Sequence, residues 1–590
     1  VSLPTTHTLT ADVRVTALLD RIVVTPRNPE DAHSVSGILR HKLSGIKLHR
    51  SAEGVWLSAE DAASLLDMSE IDLRWNQEAK RFAQNRRRIS LVSSQIYSAV
   101  NAIRHGGKTV AEQYLHECQS LAVLDDHQWV NVAAMTLAEG YGLCLFDEQG
   151  AGKTVTMIFA FDALVAKDQA DFLLIVAPKS MMTEWPHDFN RFTNGLYKIA
   201  VVTGTRKEKL AAIGSGADVL VTNFETSVSY EAELRALLRR YEDRALLVVD
   251  ESFYIKSLDA KRTQALRRLR EWCGRAYVLC GTPAPNSPHD LVQQFSIVDF
   301  GATFAGVNIP DDRSAARLIV QDAIDERGLF VRHLKTDVLP NLPSKSFHRI
   351  LLTMQPDQHR LYTSALKGLI CDLRAVDDQT FLRRLSSFLA KRTALLQICS
   401  NPGAIAMAYE EVPTKLLALD ALLEETISQM GEKVILWSFY TASIEAILAR
   451  YARFRPVRYD GRVSKVSDRR DAVRRFQEDD ETMLFVGNPA AAGAGLTLHR
   501  ARLAIYESMS NQAAHYLQSL DRIHRRGQTR DVEYIVLLCE NTIEILQYEG
   551  LIKKQKAAEA LLGDVVAEPV TREAMLQEAI AAIRLIGDQV

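Results

Sequence analysis

Two groups of residues in this chain have the types and spacing to handle a nucleoside triphosphate. The first is Gly150-Ala151-Gly152-Lys153-Thr154, which follows the apolar run Leu143–Phe146 and leads into the helical pattern beginning at Val155. Glycines at such a loop let backbone N–H groups close around phosphate oxygens, and the positive end of the following helix adds to the attraction. Lys153 is placed to reach the β- and γ-phosphates, and the Thr154 hydroxyl to hold a magnesium ion. The ordinary loop has an earlier glycine, five residues before Gly152, where this chain has Asp147. The second group is Asp250-Glu251, two acids directly after the apolar run Leu246-Leu247-Val248-Val249. Asp250 suits coordination of the ion, and Glu251 the orientation or deprotonation of an attacking water.

A third group lies far along the chain. Arg522 and Arg525 stand three apart in Gln518-Ser519-Leu520-Asp521-Arg522-Ile523-His524-Arg525-Arg526-Gly527-Gln528. On a helix that spacing projects both guanidinium groups from one face. Arginine is the residue for bidentate phosphate contact, so the pair reads as two cations for a phosphate held elsewhere. The small-residue loop Ala491-Ala492-Gly493-Ala494-Gly495-Leu496-Thr497 precedes it and permits close backbone approach.

The elements that position these groups read as α/β. Candidate strands Leu143–Phe146, Phe172–Ala177, Asp218–Thr222, Ala245–Val249 and Ala276–Leu279 are apolar without alternation, as strands buried on both faces are. The last ends in Cys280-Gly281-Thr282-Pro283-Ala284-Pro285-Asn286, whose small and polar residues could sense the phosphate. A second series, Val434–Trp437, Val457–Tyr459, Met483–Val486, Leu503–Tyr506 and Tyr534–Leu538, alternates with helices such as Asp468–Gln477. Ligands of open parallel sheets sit at the carboxyl ends of the strands, where the polar residues named above fall. Between the two series, residues 301–410 read as a helical, basic insertion, with Pro340-Asn341-Leu342-Pro343 as a link.

The expected domains are an N-terminal accessory domain (1–110), a first lobe (111–300), the insertion (301–410), a second lobe (411–562) and a C-terminal helical tail (563–590). In the first, the pieces Val13–Leu19, Gly45–Leu48 and Gly54–Leu57 read as strands, followed by a helical pattern at Ala59, Ala62, Ala63, Leu65 and Leu66. The cations Lys80-Arg81 and Arg86-Arg87-Arg88 fit either a DNA- or partner-contacting module or a solvated helix face. In the tail, Leu576, Ile580 and Ile583 form one stripe of a helix capped by Thr571, which reads as packing on a neighbour or partner. A formal net charge of −2 over 590 residues implies that any nucleic-acid surface is a local groove. Seven cysteines without a CxxC pair argue against a zinc site and for a reduced, intracellular protein. No apolar run approaches a membrane span.

Taken in order over roughly residues 120–560, these motifs resemble the Swi/Snf-type (sucrose-nonfermenting) ATPases, the DNA-translocating branch of helicase superfamily two. Leu124-Asp125-Asp126-His127-Gln128 is similar to the adenine-reading segment, which implies a nucleotide-binding role for Gln128. Asp147 through Thr154 resembles the family's first motif, which also lacks the early glycine. Ala177-Pro178-Lys179-Ser180 with Trp185, then Thr222-Asn223-Phe224-Glu225, resemble its DNA-contacting segments, implying contacts from Lys179, Thr222 and Asn223. Asp250-Glu251-Ser252-Phe253 with Ile255-Lys256 is similar to the second motif, and Gly281-Thr282-Pro283 with Asn286 to the third. Arg332, Lys335, Asp337 and Leu342-Pro343 resemble the link between lobes, and Gln397-Ile398-Cys399 with Pro402 the lead into the second lobe. Gly493 through Leu498 resembles the fifth motif, placing Gly495 at the nucleotide and Thr497 at DNA. Gln518, Arg522, His524, Arg525, Gly527 and Gln528 match the sixth.

Departures are Phe253 where the family has histidine, Thr497 where asparagine is frequent, and Ala490 where a basic residue is usual. The compact insertion looks more like a bacterial or viral member, which implies cytoplasm or nucleoid as the location. The resemblance implies two RecA-like lobes and an ATP- and Mg2+-dependent double-stranded DNA translocase contacting the DNA backbone. A protein partner is expected through the N-terminal domain or C-terminal helix, and no membrane. The alternatives are a strand-separating helicase and a nucleotide-gated DNA-binding scaffold with weak hydrolysis.

Overall fold

The structure is a computed structural model that describes residues 9–51, 53–115, 123–255, 257–281, 288–339, 342–463, 466–491, 496–510, 512–560 and 572–587. Lys256, Thr282 through Asn286, Pro340, Asn341, Ala492 through Gly495 and Thr571, all named above, lie outside the described residues. The chain divides into two compact units, with the division between Leu334 and Lys335.

The first unit carries two sheets. The smaller contains β1 (Thr10–Val15), β2 (Arg21–Pro26), β3 (His49–Ser51), β4 (Gly54–Ser58) and β5 (Asp72–Trp75), in the order β3-β4-β2-β1-β5. Only the β1–β5 pair is parallel. Helix α1 (Ala32–Lys42) and the start of α2 (Gln77–Leu115) share its core: Val35 and Leu39, with Phe82 and Ala83, pack among Val13, Ile22, Val24 and Leu57. The expected strand Val13–Leu19 ends at Val15, and Gly45–Leu48 is not a strand. The pattern at 59–66 forms a 3-10 helix, Glu60–Asp67, rather than an α-helix.

The basic run sits on α2, and most of its cations are taken up by the protein itself. Arg81 donates to Glu271 O (2.9 Å) and pairs with Asp243. Arg86 Nη1 meets Glu271 Oε1 at 3.0 Å, and Arg88 donates to Gly274 O (2.7 Å). Arg87 pairs with Asp67. Arg81, Arg86 and Arg88, with Asn85, dock the N-terminal domain onto the chain that follows the helix Lys261–Arg270 and onto Asp243.

The larger sheet of this unit is wholly parallel. Its strands are β6 (Gly142–Leu145), β7 (Phe172–Ala177), β8 (Ile199–Val201), β9 (Val219–Asn223), β10 (Ala245–Asp250), β11 (Arg275–Leu279) and β12 (Phe330–Val331). The order is β12-β6-β11-β10-β7-β9-β8. Every residue of β6, β7, β9, β10 and β11 is buried, as a sheet covered on both faces requires. Gly142 is fixed by the pairing: with φ at 120°, a Cβ there would lie 1.7 Å from Ala276 O of β11.

The second unit holds another parallel sheet, in the order β13-β18-β17-β14-β16-β15. The strands are β13 (Lys345–Leu352), β14 (Val434–Trp437), β15 (Val457–Tyr459), β16 (Leu484–Gly487), β17 (Leu503–Tyr506) and β18 (Val532–Cys539). Residues 301–410 are thus not helical throughout. They supply β12 to the first sheet and β13 to the second, and then the helices Pro356–Arg374, Asp378–Arg383 and Leu385–Ser400. Two residues give β12 no readable pattern, and β13 is a mostly exposed edge strand that carries Lys345, His348 and Arg349. The C-terminal helix Arg572–Gly587 buries Met575, Leu576, Ala579 and Ala582 in the core built by Tyr362, Leu366 and Leu373, and Glu578 pairs with Arg392. Its stripe is therefore covered from within the same unit. Among the described residues no helix is long and apolar enough to cross a membrane.

Candidate nucleotide site

The glycine loop connects β6 to helix α4 (Lys153–Ala166). Gly150 and Gly152 take φ values of 89° and 91°, the left-handed region that a side chain disfavours. Gly152 is also crowded: a Cβ would lie 2.4 Å from Gln128 Nε2. Lys153 opens α4, is buried, and donates to the carbonyls of Asp147 (2.8 Å) and Glu148 (3.3 Å). Thr154 follows, half-buried, in the first turn.

Helix α3 (Asp126–Met135) braces this loop from the side. Gln128 closes a capping box, its Oε1 accepting from Asp125 N at 3.0 Å, and its Nε2 donates to Gly152 O at 3.3 Å. His127 Nε2 lies 2.8 Å from Ala151 O. The Asp147 carboxylate, at the position of the missing glycine, is fully buried. It accepts from Asn131 Nδ2 at 2.6 Å, and from the backbone N–H and Nδ1 of His333 at 2.8 and 2.9 Å. Asp147 therefore holds the loop to α3 and to the segment after β12.

Strand β10 delivers Asp250 and Glu251 at its carboxyl end. Asp250 Oδ2 accepts from Trp185 Nε1 (3.0 Å), and Oδ1 from the backbone N–H of Glu251 (2.9 Å). Burial and the adjacent Glu251 carboxylate push the Asp250 carboxyl well above the ordinary aspartate range, while Trp185 and Lys153 pull it down. Two acids crowded in a buried place form a site whose charge a cation would offset. Glu251 has φ at 51°, a left-handed conformation that costs a non-glycine residue about 1–3 kcal/mol. Gln149 Nε2, from the glycine loop, donates to Glu251 Oε1 at 2.5 Å, so loop and acid pair are in direct contact. Phe253 is buried and stacks on Tyr254, with ring centroids 4.5 Å apart.

In the second unit the arginines do not stand on a helix. The helix Ala513–Leu520 ends before them, and Asp521 through Gly527 form tight turns. Side chains take up carbonyls of these turns: Lys335 Nζ donates to His524 O (3.0 Å), and Gln528 Nε2 lies 3.4 Å from Ile523 O. Both guanidinium groups nevertheless converge, through the Nη1 atoms of Arg522 (3.3 Å) and Arg525 (3.0 Å), on Leu496 O. Arg522 Nε also donates to Gln518 O at 2.7 Å. Lys335 pairs with Asp521.

The residues expected at DNA are dispersed in environment. Lys179 is exposed and Thr497 half-buried. Thr222 is fully buried, and Asn223 caps the helix Phe224–Ser229 by accepting from Thr226 N at 2.8 Å. Sequence reasoning missed Asn131, Gln149 and His333. Asn131 lies one helical turn after Gln128 and so shares its face, which is the one signal available. Gln149 and His333 become meaningful only through contacts across 102 and 186 residues of chain.

Residues 125–404 match the SNF2-related domain, and residues 414–527 the helicase conserved C-terminal domain. The chain is 27% identical over 431 residues to the SWI/SNF-related matrix-associated actin-dependent regulator of chromatin subfamily A member 1 of Mus musculus, across 68% of this chain and 39% of that protein. It is 29% identical over 434 residues to the putative ATP-dependent helicase/translocase YwqA of Bacillus subtilis, across 69% of this chain and 45% of that one. It thus spans less than half the length of these relatives. Among solved structures it is similar to the Sulfolobus solfataricus SWI2/SNF2 ATPase core in complex with dsDNA, with 21% identity, a TM-score of 0.35, and coverage of 78% of this chain and 95% of that one.

Proposed function

Since the chain belongs to the SNF2-related family of helicase-like ATPases, we propose that it is a DNA-dependent ATPase that uses ATP hydrolysis to move along, or remodel proteins on, double-stranded DNA. The observation that carries the nucleotide half of this reading is the contact of the glycine loop with the acid pair, Gln149 on Glu251, beside a buried Lys153.

In this reading the backbone of residues 150–154 cradles the phosphates and Lys153 exchanges its two loop carbonyls for phosphate oxygens. Gln128 and Gly495 belong to the nucleotide-binding set. The crowded acids and the Thr154 hydroxyl fit a magnesium ion: Asp250 and Thr154 would hold it, and it would neutralise phosphate charge. Glu251 orients and deprotonates the attacking water, its carboxylate fixed by Gln149 and by a strained backbone. Arg522 and Arg525 release the Leu496 carbonyl and stabilise charge on the transferred phosphoryl group. Lys179 and Thr497 are the proposed contacts to the DNA backbone, which makes binding sequence-independent and salt-sensitive; the buried Thr222 and the capping Asn223, on the strand beside β7, support the segment of Lys179 instead of touching DNA.

The test is ATP turnover by the full chain with duplex, single-stranded and forked DNA, beside triplex displacement. Triplex displacement without fork unwinding is the expected result. Fork unwinding would mean a strand-separating helicase instead.

A further inference from the structure

His333 makes three hydrogen bonds to the residues that open the glycine loop. Its backbone N–H and Nδ1 both reach Asp147 Oδ1, and its carbonyl accepts from Glu148 N at 3.0 Å. Its ring also meets that of His127 edge-on, with centroids 5.5 Å apart, and His127 in turn contacts Ala151 O. Two residues later Lys335 is buried and bound just as closely, to the Asp521 carboxylate and to His524 O (3.0 Å), which flank Arg522. The division between the two units falls between them, after Leu334.

We infer that His333-Leu334-Lys335 is a coupling strap, and that His333 is a positioning residue that passes the state of the nucleotide loop to the chain leading into the second unit. Three residues span at most about 7 Å from first to last Cα, so little slack is available to absorb a displacement of the loop. A shift of Asp147 and Glu148 on nucleotide exchange pulls on His333 through three hydrogen bonds, and Lys335 receives it at the arginine turn. His333 touches no reacting atom in this scheme. The inference rests on the proposed DNA-dependent ATPase and adds how that activity is coupled.

The experiment compares the full chain with His333→Ala, His333→Asn, and an insertion of two glycines after Leu334. Each protein is measured for affinity towards a fluorescent ATP analogue and for the ratio of ATPase rates with and without duplex DNA. Asparagine keeps a side-chain N–H near the position of Nδ1 and serves as the conservative rescue. The expected result is a ratio reduced about tenfold by the insertion, the scale of an ordinary coupling free energy, and about threefold in His333→Ala, which removes the Nδ1 bond and leaves both backbone bonds. Nucleotide affinity stays within about threefold, and His333→Asn recovers most of the ratio. An unchanged ratio in His333→Ala, or in the insertion, overturns the strap. A ratio of one in the unaltered protein overturns the proposed function itself, so the two failures are distinguishable.

Discussion

Restoring the glycine that an ordinary phosphate loop carries should damage this one. In Asp147→Gly, Asn131 Nδ2 and the backbone N–H of His333 lose a buried carboxylate that accepts from them at 2.6 and 2.8 Å. Hydrogen bonds to a charged group contribute about 1.5–3 kcal/mol each, so losing two costs about 3–6 kcal/mol. The ring of His333 is partly exposed and can turn to water, so its bond is not counted. The added freedom of glycine costs about a further 0.5–1 kcal/mol. For a unit of this size the thermal transition should fall by about 5–10 °C. Asp147→Asn is the control. Asn131 Oδ1 is buried without a hydrogen-bond partner, so a turned Asn131 amide can accept from the new side chain while its remaining oxygen still faces His333. That variant should lose no more than about 2 kcal/mol. Differential scanning fluorimetry, with fluorescent-nucleotide titration, reads both. A glycine variant within 2 °C (about 1.4 kcal/mol or less) and threefold in affinity of the parent would refute the role given to Asp147.

Other substitutions separate the remaining roles. Glu251→Gln should bind nucleotide normally and turn over at least about a hundredfold more slowly in steady-state assays; normal turnover would remove Glu251 as the base. Arg525→Ala should lower kcat at least about tenfold with little change in nucleotide affinity, and an affinity loss with unchanged kcat would contradict that. Glu271→Ala strands the buried Arg86 and Asn85 and should cost about 3–5 kcal/mol in thermal or urea unfolding. A change below about 1 kcal/mol would show that the N-terminal domain is held by other contacts. Duplex affinity should fall steeply and log-linearly with salt, and a flat response would argue against backbone-phosphate contact.

The core of both lobes was legible because strands buried on both faces must be apolar throughout, as in Ala245–Asp250 and Val434–Trp437. The chemistry was legible for a related reason, since polar residues at the ends of such strands have few structural uses. Strands exposed on one face gave no comparable signal. Lys345–Leu352 pairs with β18 along its whole length yet carries Lys345, His348 and Arg349 outward. The basic run on α2 misled because charge on a helix reports only that a partner or water is nearby. Here the partners are Glu271, Asp243 and backbone carbonyls of the same unit. The spacing of Arg522 and Arg525 suggests a helix through Asp521–Gly527; Gly527, at φ 98°, is a stop visible in the sequence, whereas the uptake of His524 O by Lys335, from far away in the chain, is not. Asp147 shows the same limit from the opposite side. Its departure from the usual loop was visible, but the reason for it, Asn131 and His333, was not.

The central claim is that this glycine loop and acid pair hydrolyse ATP in response to duplex DNA. Its most direct measurement is the steady-state ATPase rate of the full chain with and without duplex, repeated with Lys153→Ala. The account predicts a rate raised at least about tenfold by duplex and abolished by the substitution. Equal rates with and without DNA, or turnover that survives Lys153→Ala, would contradict it.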